Sequence, residues 1–288
     1  MRLGLDILNL LSDNKDFSEI IIAPNAPPID RSMNGCEILM NVVFSVADVQ
    51  DTLATLSRTA FGAAGAQRPA AGSFCLGIRD VGRFRVNHVT QRGSPALRIT
   101  RVPIEIPSAT TVSDDQEAIA LLMSIMEARR SGVILVHGPS ATANSTLVYA
   151  LLDGVNRSQR RILYIMERAL SFLMMHHDCL AIQSELTTDV DSMDEGIANA
   201  FLMQPDIAYI GDLRITDELP SLADLLDASL LSILSSTSEN GASLKARTRE
   251  ILAGEAATRI LAVAKVHPMP GGKLAVILEP NAGEECSS

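Results

Sequence analysis

The sequence contains no tryptophan, and only three tyrosines and seven phenylalanines among its 288 residues. Any core must therefore be aliphatic and methionine-rich, which a 47% hydrophobic content and 11 methionines allow. Cysteine is equally sparse: Cys36, Cys75, Cys179 and Cys286 are scattered, with no CxxC spacing. In a chain of this length they read as free buried thiols of a reducing compartment. Positive charge is in deficit, with 24 Lys and Arg against 34 Asp and Glu and a net charge of −10. That balance argues against nucleic acid or anionic lipid as a partner, because both favour basic surfaces. No apolar run approaches the roughly 18 residues that a membrane span needs. Met1-Arg2-Leu3-Gly4-Leu5-Asp6 meets an acid too early for a signal peptide. These absences together place the chain in the cytoplasm.

What is present changes rhythm partway along. The first hundred residues read as short strands and one helix. Glu19-Ile20-Ile21-Ile22-Ala23 is an apolar strand closed by prolines, and Ser45 caps a helical pattern running to about Leu56. Residues 73–78 and 82–87 form a hairpin turning near Arg79-Asp80, and residues 97–102 supply another strand. This is the pattern of a small α+β domain over residues 1–105. Residues 106–115 carry a proline and a Ser/Thr cluster and read as a linker. From 116 to 288 strands and helices alternate. Gly132-Val133-Ile134-Leu135-Val136, Ile162-Leu163-Tyr164-Ile165 and Ile207-Ala208-Tyr209-Ile210 are continuous aliphatic strands, and Leu230 to Leu234 suggests one more. Such strands separated by helices mean an α/β domain with a mainly parallel sheet. Residues 283–288 read as a frayed end.

One junction carries chemistry. Gly138-Pro139-Ser140-Ala141-Thr142-Ala143-Asn144-Ser145-Thr146 follows a buried strand and opens a helix, the setting of a phosphate-binding GxxxxGK[ST] loop. Ala143 stands where that pattern has its second glycine and Asn144 where it has lysine. Other candidates are weaker. His176-His177-Asp178-Cys179 offers metal-type side chains, but adjacent residues on an extended chain point apart and no partners are spaced to help. Met123-Ser124-Ile125-Met126 has the helical spacing of core packing, and residues 187–195 read as a solvated helix start.

The motifs in order resemble the PilT/GspE group of secretion and type IV pilus motor ATPases across about residues 16 to 280. Ser18-Glu19-Ile20, Pro27-Pro28 and Arg31 are similar to that family's S-D-L-H-I…P-P…R opening. Arg83-Phe84-Arg85-Val86-Asn87 with Gln91-Arg92-Gly93 matches R-F-R-V-N…Q-R-G. Gln183-Ser184-Glu185-Leu186 resembles Q-R-E-V. Without a gap from there, residues 204–214 fall on D-P-D-I-I-L-V-G-E-M-R. The resemblance implies a PAS-like N-terminal domain, a RecA-like P-loop NTPase domain, and ATP or ADP with Mg²⁺ as ligand.

Departures from the family pattern fall on its chemistry. Asn144 is neutral and too short to bridge terminal phosphates, and one such charge-assisted contact is worth roughly 1.5–3 kcal/mol of binding. Ala143 adds a Cβ where glycine lets backbone N–H groups close on phosphate. The expected water-activating carboxylate of I-E-D-P-I-E falls on Met166, which accepts no proton; Glu167 beside it lies one residue out of register. The Walker B glutamate becomes Asp212, one methylene shorter, which with the Ser145 hydroxyl is the remaining candidate for Mg²⁺. The family's two histidine-box positions fall on Leu230 and Thr237, and no histidine lies between His177 and His267. Arginines of Q-R-E-V and of the following helix fall on Ser184, Ala198 and Leu202. Gly211 and Arg214 are kept, and so are Arg83, Arg85, Arg92 and Arg98. In the family, arginines of the small domain reach a neighbouring subunit's nucleotide; the plain alternative is exposed strand arginines.

The resulting expectation is a pseudo-ATPase: a non-hydrolysing subunit or regulator of a pilus or secretion motor, leaning away from an enzyme. It requires no cofactor and holds ATP or ADP with Mg²⁺ weakly at most. Its partners are itself or an active paralogue in a ring, and components of the inner-membrane platform, through which it sits peripherally at that membrane. The alternative is a weak ATP binder that turns over slowly.

Overall fold

The computed structural model describes residues 3–13, 19–32, 35–62, 72–214, 220–237, 245, 246, 248, 250 and 259–279. Ser18, Cys286 and residues 283–288 lie outside them. The chain divides into two compact units, Met1–Val102 and Pro103–Ser288.

The first unit is an antiparallel sheet with helices packed on one face. Its strands are β1 (Glu19–Ile22), β2 (Ile29–Ser32), β3 (Gly35–Ile38), β4 (Gly72–Ile78), β5 (Gly82–Gln91) and β6 (Ser94–Arg101), in spatial order β3-β2-β1-β6-β5-β4. Its helices are α1 (Leu3–Asp13) and α2 (Val46–Phe61). The sequence pattern gave only the second of these. Ile7 and Leu11, one turn apart on α1, are fully buried with Val49 and Leu56 of α2 and Phe84, Val86 and Ile99 of the sheet. Ser45 caps α2 as expected and forms a capping box: its hydroxyl accepts from the Asp48 N–H while the Asp48 carboxylate accepts from the Ser45 N–H. The β4–β5 hairpin turns at Arg79-Asp80, with Asp80 at φ 62°. One expectation about cysteine is corrected here. Cys75 and Cys179 are buried thiols, but Cys36 is exposed because β3 is an edge strand whose residues all face solvent.

The second unit is a mixed sheet clothed on both faces. Its strands are β7 (Gly132–His137), β8 (Ile162–Glu167), β9 (Leu180–Glu185), β10 (Ile207–Ile210), β11 (Leu231–Ser236), β12 (Ile260–Pro268) and β13 (Leu274–Glu279), ordered β13-β12-β7-β11-β10-β8-β9. All pairings are parallel except β12–β13. Strands β7, β10 and β11 are buried along their whole length, as continuous apolar runs require. Helices α3 (Gln116–Ala128) and α4 (Ala141–Asn156) share one apolar cluster with Ile134, Val136, Ile165 and Tyr209. On the opposite face α5 (Met193–Met203) and α6 (Pro220–Asp227) share another with Leu135, Met166, Ile210 and Leu234. Residues 103–115 are irregular yet anchored to this unit: Val112 is buried, its carbonyl accepts from Leu274 N–H, and Pro103 O accepts from Leu173 N–H. Among the described residues no helix is long and apolar enough to cross a membrane.

Candidate functional site

The junction between β7 and α4 stands at the carboxyl end of a central parallel strand, where open α/β sheets place their ligands. The local chain does something different from a phosphate cradle. Gly138 and Pro139 alone connect strand to helix; Ser140 is already the N-cap, and α4 begins at Ala141. The Ser140 hydroxyl accepts from the Ala143 N–H at 3.2 Å, and the Ser140 carbonyl accepts from the Asn144 N–H at 3.0 Å. The amides of residues 143 and 144, which a phosphate would recruit, are thus spent on the first helical turn. Thr142 is exposed and its carbonyl accepts from the Thr146 hydroxyl at 2.7 Å. The helix starts at Ala141, a full turn before Ser145, because Ser140 is a good cap and alanines at 141 and 143 favour helix.

Side chains on this turn look inward. Asn144 is 1% exposed, and its Nδ2 donates to Ser236 O at 2.9 Å, tying α4 to the end of β11. Ser145 is 3% exposed and donates to Glu167 Oε1 at 2.7 Å. Glu167 is the centre of a polar cluster that the sequence had set aside as out of register. It does leave β8 on the face opposite Met166, but that face is where α4 lies. Its Oε1 also accepts from Ser171 Oγ at 3.2 Å and Tyr209 OH at 3.3 Å, and its Oε2 from Tyr149 OH at 3.0 Å and Ser171 N–H at 2.8 Å. Gln183 Nε2 donates to Tyr149 OH at 3.0 Å, and Tyr209 OH lies 3.0 Å from Ser235 Oγ. Burial pushes the Glu167 carboxyl above its ordinary range, and the Ser145, Ser171 and Tyr149 donors pull against that rise. Tyr149 and Tyr209 are pushed well above 10.0, first by burial and then by the Glu167 charge.

The remaining candidates are dispersed. Met166 is fully buried against α5, where a Cβ on Gly196 would lie 2.6 Å from its Sδ. Asp212 follows Gly211 with φ 53°; its N–H donates to Ser235 Oγ at 3.1 Å and its carbonyl accepts from Arg168 Nε at 3.1 Å. Through its backbone it joins the Ser145 cluster by way of Ser235 and Tyr209. Leu230 is buried in the α5–α6 apolar cluster, and Thr237 is exposed just past β11. His176, rather than ligating, accepts through Nδ1 from Ala181 N–H at 3.2 Å. Among the described residues no three His, Cys, Asp or Glu side chains gather as a metal site. In the first unit Arg83 and Arg85 leave β5 on the face away from the helices, while Arg92 sits exposed in the β5–β6 turn at φ 48°. Arg98 is held differently: with Arg31 it clamps Glu19, at 2.9 and 3.0 Å, and Arg98 above all keeps that carboxyl below its usual range.

Mg²⁺ with ATP therefore does not fit these residues. The lysine position is neutral and committed to Ser236, the amides of 143 and 144 are internally bonded, and the Ser145 hydroxyl is engaged by a carboxylate. A direct consequence concerns the tyrosines. Tyr149 and Tyr209 are both held well above 10.0, the ordinary phenol value, so neither ionises there in the folded chain. Because the folded values are raised, their contribution to stability is complete below that pH and drains away as pH rises through it. Alkaline titration of the phenolate absorbance should show Tyr149 and Tyr209 ionising in one step coincident with unfolding. Reversible ionisation of Tyr149 or Tyr209 near pH 10.0 in the native chain, assigned with Tyr164→Phe as background, would contradict the closed cluster.

No protein-family model matches the chain. Over 142 residues it is 29% identical to the type IV pilus retraction ATPase PilT of Pseudomonas aeruginosa, covering 49% of this chain and 40% of that protein. The type IV pilus ATPase PilU of the same organism is 23% identical over 142 residues, 49% of this chain and 36% of that protein. A type II secretion system protein E of Escherichia coli K12 is 30% identical over 120 residues, 40% of this chain and 23% of that protein. The matched part thus spans well under half the length of these relatives. Among solved structures the pilus retraction motor PilT with bound ADP superposes with a TM-score of 0.74 at 19% identity, over 98% of this chain and 84% of that one. The Legionella pneumophila ATPase DotB follows at 0.72 and 15%, over 96% and 78%. The second unit accordingly has the RecA-like fold of these ATPases.

Proposed function

We infer that this chain, a PilT/GspE-like member of the secretion and type IV pilus motor ATPase family, is a non-hydrolysing subunit or regulator of such a motor. The observation that carries this reading is Asn144: at the position of the phosphate-binding lysine stands a buried amide already bonded to Ser236 O. Phosphoryl transfer depends on positioning and neutralisation of charge, and neither is available from a neutral side chain facing inward. Met166, sealed in the α5 cluster, adds no base. The protein then acts through its surfaces, with itself or with an active relative in a ring at the inner-membrane platform. In such a ring the PAS-like first unit presents Arg83, Arg85 and Arg92 to a neighbour's nucleotide.

Phosphate release from Mg²⁺-ATP should stay at background for the isolated chain. In a verified mixed assembly with an active relative, Arg83→Ala with Arg85→Ala should lower turnover. Steady hydrolysis by the isolated chain that Asp212→Ala abolishes would overturn the reading in favour of a slow ATPase.

A further inference from the structure

We propose that Glu167 is a built-in occupant of the hydroxyl that Mg²⁺ needs, so that replacing the loop residues alone cannot make this chain respond to the metal. The proposal rests on the non-hydrolysing reading and assigns its cause to a second place in the fold. Ser145 Oγ donates to Glu167 Oε1 at 2.7 Å, a short bond to a carboxylate, and Tyr209 OH lies 3.2 Å away on another side of the same oxygen. Mg²⁺ demands near-octahedral oxygen ligation at about 2.0–2.1 Å and gives up its waters reluctantly. Ser145 is 3% exposed, its proton is given to Glu167 and Tyr209 OH stands on its oxygen, so Mg²⁺ has no open approach to that hydroxyl.

Nor can Glu167 ligate the ion in place of the serine. Its two oxygens offer about four lone-pair sites, and the hydroxyls of Ser145, Tyr149 and Ser171 with the Ser171 amide already supply four donors, with Tyr209 OH beside them at 3.3 Å. Those donors come from α4, β10 and the loop after β8, so no single side-chain rotation frees the carboxylate. Gly211 closes the remaining side: a Cβ there would lie 2.7 Å from Glu167 Cγ and 2.8 Å from Tyr209 OH. The lock is therefore independent of Ala143 and Asn144, the two loop departures.

The test uses the full chain carrying Ala143→Gly and Asn144→Lys, titrated with a fluorescent ADP analogue in Mg²⁺ or in EDTA. With Glu167 in place, the two dissociation constants should agree within about twofold. Adding Glu167→Gln, which keeps the shape but removes the charge, should make binding at least tenfold tighter in Mg²⁺, and adding Ser145→Ala should restore parity. Tyr209→Phe, which removes one bridging hydroxyl, is the second route to loosening the lock and should give at least a threefold metal effect. Tenfold tightening by Mg²⁺ with Glu167 present would overturn the proposal. So would the lack of any metal effect in both the Glu167→Gln and Tyr209→Phe backgrounds. Metal-tightened binding with Glu167 and Tyr209 both in place, and without phosphate release, sinks the lock alone, whereas phosphate release by the unaltered chain sinks the non-hydrolysing reading.

Discussion

Gly138→Ala should lower the thermal midpoint of the second unit by about 6–12 °C. The methyl would lie 2.1 Å from Val266 O and 2.9 Å from Asn144 Oδ1. The first contact is with backbone, in a strand whose registry with β7 is fixed through Ala264↔Val136 and Lys265↔His137. Relief therefore requires moving β12 or the first turn of α4, not a rotamer change. Overpacking of this kind costs about 3 kcal/mol or more when backbone must shift, and about 2–4 °C accompanies each kcal/mol at this size. Gly77→Ala, with no atom within 4 Å of its new Cβ, is the matched control and should leave the melting profile of the chain unchanged. A Gly138→Ala shift below about 2 °C would mean that β12 does not lie against the loop. The strand behind this glycine is thus reason enough for the residue to lack a side chain.

Such a contact marks where sequence pattern ceases to suffice. The β7–loop–α4 junction and the β5 strand were legible because local spacing and the matched motifs both fell on them. Identity changes at Asn144, Met166 and Leu230 were legible too. Their surroundings were not. Asn144 finds Ser236 O across 92 positions, and Glu167 meets Ser145 and Tyr209 across 22 and 42. Alternation along β8 says that Met166 and Glu167 face opposite ways, but not what covers each face. The β12–β13 hairpin was missed although Pro270-Gly271-Gly272 between two apolar runs is a usable turn signal, with Gly271 and Gly272 at φ 76° and 77°. Helix α1 was missed because its start was weighed only as a leader; the one-turn spacing of Ile7 and Leu11 could have found it.

Met166→Glu, which puts an acid at the position matched to the resembled family's carboxylate, should destabilise the second unit without raising phosphate release. Met166 is fully buried in the cluster that includes Val190, Met193, Ile197 and Ile210, with Gly196 directly against its sulfur. A glutamate of nearly the same length puts its carboxyl into that apolar space. Full burial raises a carboxyl by about 3–5 pH units, and each unit corresponds to about 1.4 kcal/mol. The folded value would then lie above the unfolded one, so the charge penalty is absent below about pH 4.3, the ordinary glutamate value. It grows by about 1.4 kcal/mol per pH unit as pH rises towards the folded value. Unfolding free energies of variant and parent from urea titration should therefore differ modestly at pH 5 and by about 4 kcal/mol at pH 8, with phosphate release still at background. A gap that does not change between the two pH values would mean the carboxyl reaches water. In that event the position opens onto the site, and rebuilding a catalytic acid there becomes feasible. A widening gap instead means that an acid at this position stays sealed beneath α5, in the apolar cluster with Val190, Met193 and Ile197.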